Sequence, residues 1–263
     1  MVFRLKSKAA LHLQAPAIPG GCRIYAVGDI HGRADLLEDL ARQIEVDLAI
    51  APAPKALAIF LGDYIDRGLQ SAEVVDRLSR GHFPTQLIAL RGNHEQILLD
   101  ALVDETVFGS WRQFGGLELL ASYGVDISDV IRGKGYKQAR AELVAKLPAR
   151  HRAFFESLPT SYSLGDYFFC HAGVRPGVSL SAQRDKDLMW IRQEFLDVKD
   201  FFGKVVVHGH AATDKPQLLA NRINIDTGAY ATGNLTCLVL EGASQRLLST
   251  NRLQESSETA PNS

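Results

Sequence analysis

The stretch Gly62-Asp63-Tyr64-Ile65-Asp66-Arg67-Gly68 decides how the chain is read. It follows an apolar run, residues 56–61, with the character of a buried strand, and it precedes Val74, Val75 and Leu78 at helical spacing. Two carboxylates and a guanidinium therefore sit on the turn where a strand hands over to a helix. In open α/β sheets, ligands bind beyond the carboxyl ends of the strands. Two acids three residues apart can divide labour, one holding a cation while the other orients a neighbour. The arginine is a planar fork suited to phosphate oxygens. On its own the heptad reads equally well as an ordinary charged loop. Its recurrence along the chain separates the two readings.

Upstream, residues 22–27 read as a strand that ends in Gly28-Asp29-Ile30-His31-Gly32, with Leu36, Leu37, Leu40 and Ile44 following at helical spacing. On an extended segment Asp29 and His31 point to the same side, and a carboxylate with an imidazole can grip one divalent cation. Downstream, the apolar run 86–90 discharges into Arg91-Gly92-Asn93-His94-Glu95, and Ile97, Leu98 and Leu102 continue as a helix. Parallel strands with helical crossovers explain three such units in succession, and they bring the three turns to one edge of one sheet.

Residues 96–165 differ. Three amphipathic helices are expected there, around Trp111 to Leu120, Leu143 to Leu147 and Phe154 to Leu158, forming a helical insertion that shapes a cleft. His82 and His151 have no evident partners and are expected at the surface. Strand character returns at 166–170, ending in His171-Ala172-Gly173, and at 204–207, ending in His208-Gly209-His210. Residues 221–226, 235–241 and 246–248 add short β segments. The change from parallel units to short strands implies a second sheet packed on the first. The expected fold is α/β, two mixed sheets in a sandwich flanked by helices. One domain is expected over 22–250, after a loose or partly ordered leader at 1–21 and before a disordered tail at 254–263.

Composition sets the outer limits. With 263 residues, 46% of them hydrophobic, the chain can bury one large core. A formal charge of −1 gives no general attraction to nucleic acid or anionic membrane. Three scattered cysteines make neither a disulfide framework nor a zinc ribbon and fit a reducing cytoplasm. No apolar run approaches the roughly 20 residues that span a bilayer. The N-terminal apolar stretch is broken by His12, Gln14, Pro16 and Pro19, so no signal peptide is expected.

Collected, the strand ends offer Asp29, His31, Asp63, Asn93, His171 and either His208 or His210. That oxygen and nitrogen set suits two divalent transition ions and lacks the thiolates of a structural zinc site. Asp63, in the middle motif, is the natural bridge. Two ions at about 3.5–4 Å can clamp both sides of a displacement at phosphorus. Arg67, Arg91 and Arg192 are available for phosphoryl oxygens, and Asp66 can hold the His94 imidazole as a proton donor to the leaving oxygen.

In their order, Gly-Asp-x-His-Gly, Gly-Asp-x-x-Asp-Arg-Gly, Gly-Asn-His-Glu, His-Ala-Gly and Gly-His resemble the phosphoprotein phosphatase family of calcineurin-like metallophosphoesterases. The likeness is to its bacterial and phage branch, typified by the phage lambda protein phosphatase. It runs from about Arg23 to Glu241 and includes Trp190-Ile191-Arg192, Lys215-Pro216, Asp226-Thr227-Gly228 and Gly233-Asn234-Leu235-Thr236. The resemblance implies Asp29, His31 and Asp63 on a first metal, and Asp63, Asn93, His171 and His210 on a second. It also implies His94 as general acid oriented by Asp66, and Arg67, Arg91 and Arg192 as phosphate ligands. His210 is preferred because the family's last histidine follows a glycine. His208 becomes a packing residue, where phage relatives favour an aromatic.

The implied activity is hydrolysis of phosphoserine and phosphothreonine in proteins by a hydroxide shared between two divalent ions, manganese, iron or zinc. Phosphotyrosine and small phosphoesters would be accepted, and no phosphoenzyme forms. Symmetrical dinucleoside tetraphosphate hydrolysis is the alternative on the same scaffold. Those relatives typically lack the second Asp of the heptad and often carry Asp after Asn-His, whereas Asp66 and Glu95 are both present here. An inactive binding module would have lost ligands, and none is missing.

Overall fold

The computed structural model describes residues 15–250. The expected tail lies outside the described residues, as do residues 1–14 of the expected leader. The rest of that leader is tied to the domain. Ala17 donates its N–H to the Asp166 carboxylate at 2.9 Å, Ile18 donates to the Gly242 carbonyl at 3.0 Å, and the Ile18 side chain enters the core.

Among the described residues ten strands form two five-stranded sheets. In the first, β1 (Cys22–Val27), β2 (Lys55–Phe60) and β3 (Gln86–Ala89) run parallel, with helices α1 (Ala34–Ile50) and α2 (Ser71–Ser79) as crossovers. β9 (Thr236–Glu241) pairs antiparallel with β1, and β10 (Ser244–Ser249) with β9. In the second sheet β5 (Tyr167–Cys170), β6 (Val205–His208) and β8 (Arg222–Asn224) are parallel, edged by antiparallel β4 (Ser161–Leu164) and β7 (Gln217–Leu218). This is the expected sandwich of two mixed sheets with helices outside.

The period of two along each strand explains the layering. Ile24, Ala26, Ile59 and Leu61 face the second sheet and meet Tyr167, Phe169, Val205, Val207 and Ile223. Their alternates Tyr25, Val27, Ala58 and Phe60 face Leu37, Leu40 and Ile44 of α1 and Val74, Val75 and Leu78 of α2. Strands buried on both faces read as continuous apolar runs, which is why β1, β2 and β6 are plain in the sequence. Each fully buried large side chain contributes about 1.5–3 kcal/mol, so these layers hold the strand ends in fixed register.

The insertion begins with α3 (Asn93–Val103) and continues through α4 (Phe108–Trp111), α5 (Gly116–Ser122), α6 (Ser128–Ile131), α7 (Tyr136–Lys146) and α8 (Ala149–Ser157). Its last residues depart from expectation. Residues 161–164 form β4, whose alternation Ser161, Tyr162, Ser163, Leu164 is that of a half-exposed edge strand. His151, expected at the surface, is buried between α8 and α2. Its ring bonds the Tyr123 hydroxyl at 2.9 Å and lies 3.3 Å from Asp76. His82 is exposed as expected.

Candidate active site

Six parallel strands end at one place. β1 delivers Asp29 and His31, β2 delivers Asp63, Asp66 and Arg67, and β3 delivers Asn93 and His94. From the second sheet β5 delivers His171, β6 His210 and β8 Asp226. The loops are bonded to one another through the backbone. Ile30 and His31 N–H groups both donate to the Asp63 carbonyl, at 3.1 and 2.9 Å, and Gly68 N–H donates to the His31 carbonyl at 3.1 Å. Contact is so close that a Cβ on Gly68 would lie 2.2 Å from that carbonyl oxygen, and one on Gly92 would lie 2.2 Å from Asp63 Oδ1. Only glycine fits either place.

Five non-glycine residues among those described have positive φ: His31, Asp63, Asp66, Arg67 and His210. All five belong to the predicted site set. Such conformations cost on the order of 1–3 kcal/mol each and persist where surrounding structure over-determines them. For His31 this means that its convergence with the other ligands comes from a left-handed turn and not from extended backbone.

Glu95 is the clamp. Its carboxylate accepts the N–H groups of Asp63 at 2.9 Å, Tyr64 at 2.8 Å and Gly92 at 2.9 Å, so the β2 loop is tied to the N-terminus of α3. Burial and the Asp63 charge push the Glu95 carboxyl up, and those three N–H bonds favour its ionised form.

Among the described residues two groups of side chains have their ligand atoms within 4.8 Å of one another: His31, Asp63 and His94, and Asp63, His171 and His210. Asp63 is common to both. His31 and His171 are each aimed by the second ring nitrogen. His31 Nδ1–H donates to the Ile65 carbonyl at 2.8 Å, and its Nε2 faces Asp63 Oδ2 at 3.6 Å. His171 Nδ1 bonds the Leu61 carbonyl at 3.1 Å, leaving Nε2 at 2.8 Å from Asn93 Oδ1 and 3.4 Å from Asp63 Oδ1. Backbone carbonyls that fix a ring in this way are the usual support of metal-ligating histidines.

Asp29 stands beside these groups. It lies outside the first group, and its carboxylate accepts the His210 backbone N–H at 3.1 Å. It is close enough for the charges of Asp226, His171 and Asp63 to act on it. His208 faces away, with its ring edge-on to Phe195 at 5.0 Å, so the structure brings His210 and not His208 to the cluster.

The charges in the cluster oppose one another. Burial would raise the Asp63 carboxyl, but the imidazoles of His171 and His94 outweigh it and hold the group well below its usual value. Burial would lower His171, but Asp63 and Asp29 lift it to about 9. Burial takes His31 down to about 3, and burial with the charge of His171 takes His210 to about 2. Burial and Asp226 push the Asp29 carboxyl well up. Buried acids and imidazoles in contact, with His210 Nε2 lacking any partner, form a donor set that fits divalent cations. An unsatisfied buried nitrogen costs about 1–3 kcal/mol, which a bound cation would offset.

Beside this cluster stands a hydrogen-bonded dyad. His94 Nδ1–H donates to Asp66 Oδ2 at 2.6 Å, and His94 Nε2 lies 3.4 Å from the Arg67 guanidinium. The guanidinium also stacks over the Tyr230 ring, 4.7 Å from its centroid. Arg192 is exposed at the rim, near enough for its charge to depress His210. Arg91 is used elsewhere. Its guanidinium donates to Gln96 and to the carbonyls of Phe155 and Glu156, at 3.2, 3.2 and 3.1 Å, at the C-terminal end of α8. Cys170 lies in the apolar layer outside the second sheet with its thiol pushed up by burial, so it offers no nucleophile.

Sequence reasoning assigned no role to Asp226, Tyr230 or Trp111. Asp226 follows the end of β8 by two residues, in an Asp-Thr-Gly turn, and that position was its one visible signal. Tyr230 and Trp111 gave none, since each reaches the site from a helix of only four residues.

Carboxylates and imidazoles at the carboxyl ends of a two-sheet sandwich, gathered around one shared aspartate, define a metal-dependent phosphoesterase. The family model for calcineurin-like phosphoesterases matches residues 22–238, and the chain belongs to that family. Among curated proteins it is similar to serine/threonine-protein phosphatase 2 of Salmonella typhimurium, 30% identical over 223 residues, covering 81% of this chain and 90% of the relative. It is also similar to an asymmetrical bis(5'-nucleosyl)-tetraphosphatase, PrpE, of Anoxybacillus flavithermus, 26% identical, covering 81% of this chain and 88% of the relative. A solved cold-active protein-tyrosine phosphatase of a psychrophilic Shewanella shares the fold, with a TM-score of 0.52, 17% identity and coverage of 88% of this chain and 83% of that one.

Proposed function

We propose that this metallophosphoesterase is a phosphomonoesterase acting on phosphoserine and phosphothreonine in proteins, with phosphotyrosine and small phosphoesters also accepted. The observation that carries the reading is the 2.6 Å bond between His94 and Asp66. An alkoxide is a poor leaving group and needs a proton as the P–O bond breaks. Asp66 fixes the tautomer with Nδ1 protonated and stabilises the charged ring, and the ring delivers a proton to the departing oxygen. Water adds to phosphorus, the ester P–O bond breaks, and an alcohol and inorganic phosphate leave.

Asp29, His31, Asp63, Asn93, His171 and His210 would hold two divalent ions, manganese being the first to supply in vitro. Bound ions supply Lewis acidity and water of lowered pKa. Arg67 and Arg192 neutralise phosphoryl oxygens, and Tyr230 holds the Arg67 fork flat. Arg91 joins them only if it releases the α8 carbonyls. The free cysteines fit a reducing compartment, and we place the enzyme in the cytoplasm. Among the described residues no helix is long and apolar enough to cross a membrane.

The likeness to a dinucleoside tetraphosphatase supports a second reading, hydrolysis of dinucleoside polyphosphates, symmetrical or asymmetrical. A phosphate leaving group has less need of an acid, so the complete dyad favours the phosphatase. Assays of a phosphoserine peptide and diadenosine tetraphosphate side by side with manganese decide between them. The expected kcat/KM is at least about tenfold higher for the peptide, a difference of about 1.4 kcal/mol in barrier. A preference of that size for the dinucleotide would overturn the phosphatase reading.

A further inference from the structure

We infer that Trp111, on α4 of the helical insertion, is a positioning residue for the Asp66–His94 dyad. Its indole Nε1–H donates to Asp66 Oδ2 at 2.8 Å, the same oxygen that accepts from His94 at 2.6 Å. Asp66 is fully buried and its other oxygen, Oδ1, has no partner. The Asp66 backbone N–H bonds Ser71 Oγ at 3.0 Å, which anchors the main chain but makes no bond to the carboxylate. Among the described residues only two side chains bond the carboxylate, and one of them is the histidine being oriented. The indole supplies the fixed reference. Without it, Oδ1 and Oδ2 compete for the imidazole and the ring loses its aim at the leaving oxygen.

The surroundings of Trp111 hold the indole rigidly. It is buried edge-on to Phe108 at 5.3 Å, and Gly116 lies so close to its face that a Cβ there would come within 2.7 Å of the ring. The next turn continues into the site. Arg67 donates its backbone N–H to the Gly115 carbonyl at 3.2 Å, where Gly115 has φ of +100°. One segment of the insertion thus braces both the carboxylate behind the acid and the arginine beside it. The insertion is coupled to proton delivery and not only to the shape of the cleft.

This inference rests on His94 as the acid, and the test separates the two. An aim defect in an acid matters most for leaving groups of high pKa. Kinetics with manganese are measured on a phosphoserine peptide and on 2,4-dinitrophenyl phosphate, whose leaving group needs no proton, for wild type, Trp111→Phe, His94→Asn and the double variant. Trp111→Phe is expected to lower the ratio of kcat on the peptide to kcat on the activated ester by about tenfold, part of the about 100-fold or more that acid catalysis supplies. Added to His94→Asn it should change the ratio less than about twofold, since the two act as a unit.

An equal loss on both substrates, or a full further loss in the double variant, overturns the role of Trp111 while leaving that of His94 standing. An unchanged ratio in His94→Asn itself overturns both. Should Trp111→Phe fail to fold, 3-benzothienylalanine placed at position 111, which keeps the shape and replaces N–H by sulfur, gives the same readout.

Discussion

Replacing His94 by Asn lowers kcat toward a phosphoserine peptide by about 100- to 10,000-fold, the range that a positioned acid contributes, while metal content stays unchanged. Asn preserves a polar side chain near Asp66 but carries no proton that it can give up. The structure makes this experiment decisive in a second way. His94 lies in one of the two metal-competent groups, with Nε2 at 3.7 Å from Asp63 Oδ2. A variant that loses activity and an ion together would show that His94 is a ligand. A variant that keeps both ions and loses turnover on the alkyl phosphate identifies the acid. Metal analysis and kinetics on the same sample read both.

Asp63→Asn is expected to have the larger effect. Its carboxylate belongs to both groups, so one substitution weakens both ends of the site. Asn is isosteric and can still accept the His94 backbone N–H that reaches Oδ1 at 3.1 Å, and the Glu95 clamp acts on the Asp63 backbone, so the loop should keep its shape. What is lost is the charge that opposes the cations. Lewis-acid stabilisation is worth several kcal/mol and about 1.4 kcal/mol is tenfold in rate, so kcat should fall by at least about a thousandfold. The number of ions per chain should fall with it, while the far-ultraviolet circular dichroism spectrum is retained. Near-wild-type activity would rule out Asp63 as the shared ligand.

The parallel half of the fold was legible because β1, β2, β5 and β6 are buried on both faces and therefore spelled as uninterrupted apolar runs. Each run also stops at a polar turn with glycine, which marks the end that carries chemistry. The edge strands of the second sheet were not legible for the complementary reason. β4 alternates weakly and β7 is two exposed residues long, and both are fixed by pairing with β5 and β8 and not by their own pattern. The histidine at 151 looked solitary because its partners, Asp76 and Tyr123, are remote in sequence.

For the site, the same division holds. Residues inside the strand-end motifs were found, since spacing placed them together. What the motifs could not tell is how they are held. The left-handed turn at His31, the three N–H bonds to Glu95 and the second donor to Asp66 depend on contacts between segments that no local pattern encodes. Arg91 shows the converse. Its place next to Gly92 promised a phosphate ligand, and no local pattern showed that its Nη2 also donates to carbonyls at the end of α8, brought close only by the fold.

The most direct test of the site is an anomalous-scattering map from crystals of the protein loaded with manganese. Two peaks are predicted, one on each side of the Asp63 carboxylate, with His31 on one and Asn93, His171 and His210 on the other. A single peak, or peaks that leave Asp63 without contact to either ion, would contradict it.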